Sequence, residues 1–318
     1  MEYQIITDGA ADITKEEGAK RGIVVVPFYV YSTQDVNRKF ADVDELYEEM
    51  LKNPKEVFKT ACPSPEEYYR KFASADAAKK PKLNKLGTQE WHKTKTRVRA
   101  AVDEGKGVFC VTISQKFSGS YSSAVLAANM IAEETPDAKV RVIDSQMNSA
   151  LQGLFVDEIE KMAQAGLSFQ EISRRADALI PQGKIMFTVG NLDYLRAGGR
   201  IGALKYVITK TLSVRPLITM QDGDIKSGGL GIGIHGAMKK VVGNVADYFS
   251  RTGFRMEDYS FVVGYGADRT LGEKIRELFY KAFPDWKSEL PMKQITEVSA
   301  VHTGPSTVGF GFLKKTEV

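Results

Sequence analysis

The residues best suited to chemistry follow short apolar runs. Residues 3 to 7 lead into Thr7-Asp8-Gly9-Ala10-Ala11-Asp12, residues 107 to 113 into Ser114-Gln115-Lys116-Phe117-Ser118-Gly119-Ser120, and residues 139 to 143 into Asp144-Ser145. Thr60-Ala61-Cys62-Pro63-Ser64 stands in the same relation to the segment behind it. These strings combine hydroxyls, which donate and accept hydrogen bonds, with small side chains that let a ligand approach the backbone. Ser64 and the turn from Ser118 to Ser120 also fall at expected helix N-termini, where unpaired N–H groups and the helix dipole favour an anion. A hydroxyl there more commonly caps its own helix. One such turn says little, but several gathered at one sheet edge point to a site for an anionic group.

Other arrangements carry less. Asp8 and Asp12 could form an acid/base or metal pair, yet no third ligand accompanies them, and an Asp just after a strand ordinarily satisfies loop N–H groups. They are read as structural. Cys62 and Cys110 are too few and too far apart for a disulfide framework or a zinc site, which fits a reducing compartment. Gly231-Ile232-Gly233-Ile234-His235-Gly236 spells G-x-G-x-x-G, but the segment before it is polar, glycine-rich and set behind a hairpin turn. A dinucleotide fingerprint should instead close a buried strand. No G-x-x-x-x-G-K-[ST] and no G-x-S-x-G occur, so neither a nucleotide nor a serine nucleophile has an obvious home.

The elements that must position these residues alternate in type. Residues 3 to 7, 23 to 30, 107 to 113 and 139 to 143 read as buried parallel strands. Between them lie helix starts with capping pairs at Thr14/Glu17, Asp42/Glu45 and Ser64/Glu67, with Pro65 at a first helical position. Helices over about 151–165 and 168–180 lead to strand-like KIMFTV, RPLITM and SFVVGY, with a hairpin signal at Asp222-Gly223. With 318 residues, 43% of them hydrophobic, the chain can bury two cores. The expected fold is two α/β domains, the N-terminal one (1–150) with a largely parallel sheet and the C-terminal one (151–318) with a mixed sheet. Residues 74–96, with six lysines and an isolated Trp91-His92, read as an insert, either a solvated excursion or a docking element. The 44 basic and 40 acidic residues are interspersed, which gives no nucleic-acid footprint. No secretory leader and no run of ~18 apolar residues is evident, so the cytoplasm is the expected compartment.

Read in order, the motifs resemble those of the DegV family, which includes the fatty-acid-binding partners of bacterial fatty acid kinase. The opening T-D-S-x-x-D appears as Thr7 to Asp12, with Gly9 in place of the serine. T-S-x-P-S appears as Thr60 to Ser64, and I-S-S-x-L-S-G-T-Y as Ile113 to Tyr121, departing at Gln115, Phe117 and Ser120. Asp144-Ser145 and Ser149 match the next turn, although Leu151 stands where a glycine is usual. Leu192 to Ile201 resembles L-x-Y-L-x-x-G-G-R-I closely, Val214-Arg215-Pro216 resembles the K-P segment, and His302-Thr303-Gly304-Pro305 matches H-x-G-P before Ser306.

The resemblance implies one long-chain fatty acid held between two domains. Its carboxylate would lie at Thr60, Ser118 and Gly119, and Arg200, His302, Ser64 and Gly199 would stand near the head group. It implies a non-enzymatic carrier that serves a separate kinase, with no cofactor beyond the acid and with room for transient membrane contact. The chemistry is coherent. A sixteen-carbon tail gains ~0.8 kcal/mol per methylene removed from water, roughly 10 kcal/mol before ordering costs. The carboxylate must then regain its lost hydration from hydroxyls, amides and a nearby cation. The alternative is a phosphotransferase related to the substrate-binding subunit of dihydroxyacetone kinase, working through His302 or His235.

Overall fold

The computed structural model describes residues 3–73, 106–206 and 213–318, so the insert at 74–96 lies outside the described residues. In chain order these run β1 (Tyr3–Asp8), α1 (Lys15–Arg21), β2 (Ile23–Val26), β3 (Tyr29–Ser32), α2 (Val43–Lys52), β4 (Phe58–Ala61) and α3 (Pro65–Ala73). They continue with β5 (Gly107–Thr112), α4 (Ser120–Glu134), β6 (Val140–Asp144), α5 (Ser149–Gln164), α6 (Phe169–Leu179), β7 (Lys184–Thr188) and α7 (Asp193–Ala197). The last part holds β8 (Val214–Gln221), β9 (Asp224–Ile232), α8 (Gly233–Thr252), β10 (Tyr259–Tyr265), α9 (Arg269–Ala282), β11 (Met292–Gln294), α10 (Glu297–Thr303) and β12 (Val308–Lys314).

Local chemistry sets most of these boundaries. Thr14 and Asp42 accept from the amides of Glu17 and Glu45, and Ser64 and Glu67 cap each other reciprocally, which satisfies N–H groups that a helix start leaves open. Asp222 and Gly223 both have positive φ, 52° and 76°, as a tight two-residue hairpin between β8 and β9 requires. The expected strand over 23–30 is instead two strands. Pro27 has no N–H for a ladder, and after it the chain leaves β1 and pairs with β4 in a separate antiparallel ribbon.

Two sheets organise the molecule. The first has the order β2-β1-β5-β6 and is parallel throughout. The second has the order β11-β10-β12-β7-β8-β9, parallel only at β10/β11. α5 is the wedge between them: Leu151, Phe155 and Ile159 share one buried cluster with Ile5, Phe109 and Val111 of the first sheet and Ile185, Phe187 and Ile218 of the second. Helices α3 and α4 cover the other face of the first sheet, and α8 and α9 that of the second. Among the described residues no helix is long and apolar enough to cross a membrane.

The G-x-G-x-x-G string closes β9, an antiparallel edge strand. A Cβ on Gly231 would lie 2.4 Å from the Cα of Ala237, so this glycine lets α8 pack against the strand it follows.

Candidate functional site

The carboxyl end of the parallel sheet is built around two buried aspartates. Asp8 accepts from the amides of Ile113 (2.9 Å) and Ala10 (3.2 Å), from Ser120 Oγ (2.7 Å) and from Gln152 Nε2 (2.9 Å). These bonds tie the loops after β1 and β5 to α5, and burial raises the carboxyl pKa despite them. Asp12, left-handed at φ 51°, accepts from Thr296 N and Oγ1, each at 2.9 Å, and from the Ser149 hydroxyl. It therefore joins the N-terminal end of α5 to that of α10. Both aspartates hold loops in place.

Over this framework β4, α10 and the segment after α7 enclose a cavity of about 300 Å³. Thr60, Ser118, Gly119, Arg200 and His302 line it together, although they come from four separate stretches of chain. Phe28, Ile113, Phe117, Phe187, Leu195, Ile225 and Val298 supply the apolar wall. A narrower cleft of about 20 Å³ continues past Asn148, Phe187, Ser299 and Thr303, which line both spaces, toward Ile185, Ile295 and Phe310. A mainly apolar cavity of this size with a few convergent polar groups is the usual form of a small-molecule site.

The polar end is arranged as follows. His302, on the last turn of α10, has Nε2 at 3.0 Å from Thr60 Oγ1, while its Nδ1 is buried with no hydrogen-bond partner among the described residues. A buried N–H without a partner costs more than an unused lone pair, so the proton is assigned to Nε2 and donated to Thr60. Burial, reinforced by the Arg200 charge, lowers the imidazole pKa to about 4, so the ring is neutral near pH 7. Arg200 donates Nε to Phe117 O (3.0 Å) and Nη1 to Gly198 O (2.6 Å), so these bonds orient the guanidinium without neutralising it. Ser118 Oγ accepts from Ser120 N (3.2 Å), which leaves its own O–H free to donate elsewhere.

The other residues singled out in the sequence fall differently. Ser64 is exposed, its hydroxyl engaged with Glu67, and it does not line the cavity. Gly199 also lies outside the lining; its φ of 72° serves the turn that brings Arg200 back, and the close approach belongs to Gly198, where a Cβ would sit 2.1 Å from His302 Nδ1. His235 is exposed on the first turn of α8, away from the cavity. Asn148 and Ser299 also line the cavity, and no motif had marked either. Asn148 lies between two serines already singled out, and Ser299 one helical turn before His302, which is the only trace either leaves.

Comparison with known proteins adds three kinds of likeness. A model of the DegV family, described as uncharacterised, matches residues 2–82 and 91–315. A DegV domain-containing protein of Clostridium perfringens is 25% identical over 319 residues, covering 99% of this chain and 100% of the relative. A stearic acid-binding protein from Eubacterium ventriosum superposes with a TM-score of 0.82 at 34% identity, covering 98% of each chain. The Fatty Acid Kinase B3 protein of Streptococcus pneumoniae, solved with linoleic acid, has a TM-score of 0.71 at 22% identity, covering 99% of this chain and 100% of that one. At that identity the likeness speaks to the fold.

Proposed function

The chain belongs to the DegV family, and on that premise we propose that it binds one long-chain fatty acid and presents the carboxyl group to a separate fatty acid kinase. The carboxylate lies at Thr60, Ser118 and Gly119, and the tail runs along the apolar wall toward the narrow cleft. Residues 1–150 and 151–318 are the two domains that close on it. The observation that carries this reading is the convergence of two hydroxyls, a histidine and a carbonyl-anchored arginine at one end of a mostly apolar cavity. The stearic acid of the Eubacterium protein supports the ligand class, and the name of the pneumococcal protein supports presentation to a kinase.

The physical roles follow from the bonds already made. With His302 Nε2–H donating to Thr60, the threonine proton points to the ligand, and Ser118 donates likewise. Arg200 offsets the charge that would otherwise make burial of a carboxylate cost several kcal/mol. Arg200 and His302 border the place where an incoming phosphoryl group meets the acid.

The test has two arms. Organic extracts of the purified protein, read by mass spectrometry, should yield a long-chain acid at near one per chain. The delipidated protein with ATP, magnesium and palmitate should form no acyl phosphate until a fatty acid kinase is added, and Ser118→Ala should weaken palmitate binding by about tenfold or more, the worth of a hydrogen bond to a charged group. Turnover by the chain alone, or unchanged affinity in Ser118→Ala, would overturn the reading.

A further inference from the structure

Besides His302 Nδ1 at the polar end, two polar atoms in the cavity wall have no hydrogen bond among the described residues: Ser299 Oγ and Asn148 Oδ1. Both residues line the main cavity and the narrow cleft, so they mark the waist where one passes into the other. Ser299 is only 5% exposed. The remaining hydroxyls of the cleft are engaged within the protein: Ser149 donates to Asp12, Thr303 to Ser299 O (2.9 Å) and Thr307 to Thr303 O (3.0 Å). Buried polar groups are ordinarily paired, and a pair of unpaired ones at one waist calls for a partner that arrives with the ligand.

An unsubstituted alkyl chain passing the waist leaves both atoms unpaired. A hydroxyl on the chain accepts from Ser299 and donates to Asn148, and it serves either orientation of the amide. A keto oxygen only accepts, so it pairs with Ser299 and leaves Asn148 Oδ1 unmet. We propose that the waist formed by Ser299 and Asn148 is a subsite for an oxygen carried part-way along the tail, so that long-chain hydroxy acids are preferred over their unsubstituted counterparts. This rests on the fatty-acid reading of the same cavity and adds to it a substrate class.

The test uses the delipidated full chain and an equimolar mixture of stearic acid, its positional hydroxy isomers and the matching oxo acids, with the bound acids measured by mass spectrometry after gel filtration. At least one hydroxy isomer should be retained about fivefold over stearic acid, the size of one net hydrogen bond, with its oxo counterpart between the two. Ser299→Ala should bring the ratio of that isomer to stearic acid close to one; if the variant does not fold, the wild-type ranking decides alone. Stearic acid retained with every hydroxy isomer at or below it would overturn the subsite while leaving the fatty-acid reading intact. If no acid in the mixture were retained, both would fall.

Discussion

His302 shows how strongly one residue depends on its surroundings. In the open sequence a histidine titrates near pH 6.5, but burial and the Arg200 charge lower this one to about 4. An anionic ligand at Thr60 reverses the second of these causes, because an opposite charge favours the protonated ring. Adding palmitate should therefore move the His302 titration, followed by NMR of the ring protons, upward from about 4, and Thr60→Val should reduce that movement by weakening lipid binding. A titration indifferent to palmitate would place the carboxylate elsewhere. Thr60, Ser118, Arg200 and His302 were legible in the sequence because each sits in a motif with a recognisable pattern. Ser64 and Gly199 sit in the same motifs but face other tasks, a helix cap and a turn, and a string of letters does not show which way a side chain points.

At the scale of elements, the site depends on how α10 is held. Asp12 fixes its start through Thr296 and fixes the start of α5 through Ser149, with Lys293 as the neighbouring cation. Burial pushes the Asp12 carboxyl up to about 6 against those hydrogen bonds. Because 6 lies above the ordinary 3.8, the folded protein takes up this proton first. The resulting stability is complete below the unfolded value and is lost as pH rises through the folded one. Asn tolerates the left-handed backbone, can still accept from Thr296 and can donate to Ser149. Asp12→Asn should then gain stability relative to the parent as pH rises from about 4 to 7, measured by denaturant unfolding. An equal pH dependence in the two proteins would remove Asp12 from this role. The elements themselves were largely readable, since caps, the Asp-Gly hairpin and apolar runs are local signals. The exception at Pro27 arises because pairing partners are chosen by the tertiary fold: the letters after the proline still look like a strand, but they join another ribbon.

At the scale of the whole molecule, the cavity exists because α10 and the segment after α7 fold back over the carboxyl end of the first sheet. Its wall draws on Phe28 and Phe117 from the first sheet's loops and on Phe187 and Ile225 from the second sheet. No local pattern records that juxtaposition, so the apolar wall and the waist at Ser299 and Asn148 were not legible in the sequence, whereas the polar lining at Thr60, Ser118, Arg200 and His302 was. On the proposed function, an acyl carboxylate sits inside this cavity with its tail directed inward. A crystal structure of the palmitate complex tests it most directly. Its carboxylate oxygens should lie within hydrogen-bond reach of Thr60 Oγ1 and Ser118 Oγ, with Arg200 alongside and the chain passing Phe187 toward Ser299. A carboxylate facing solvent, or a palmitate bound outside this cavity, would contradict it.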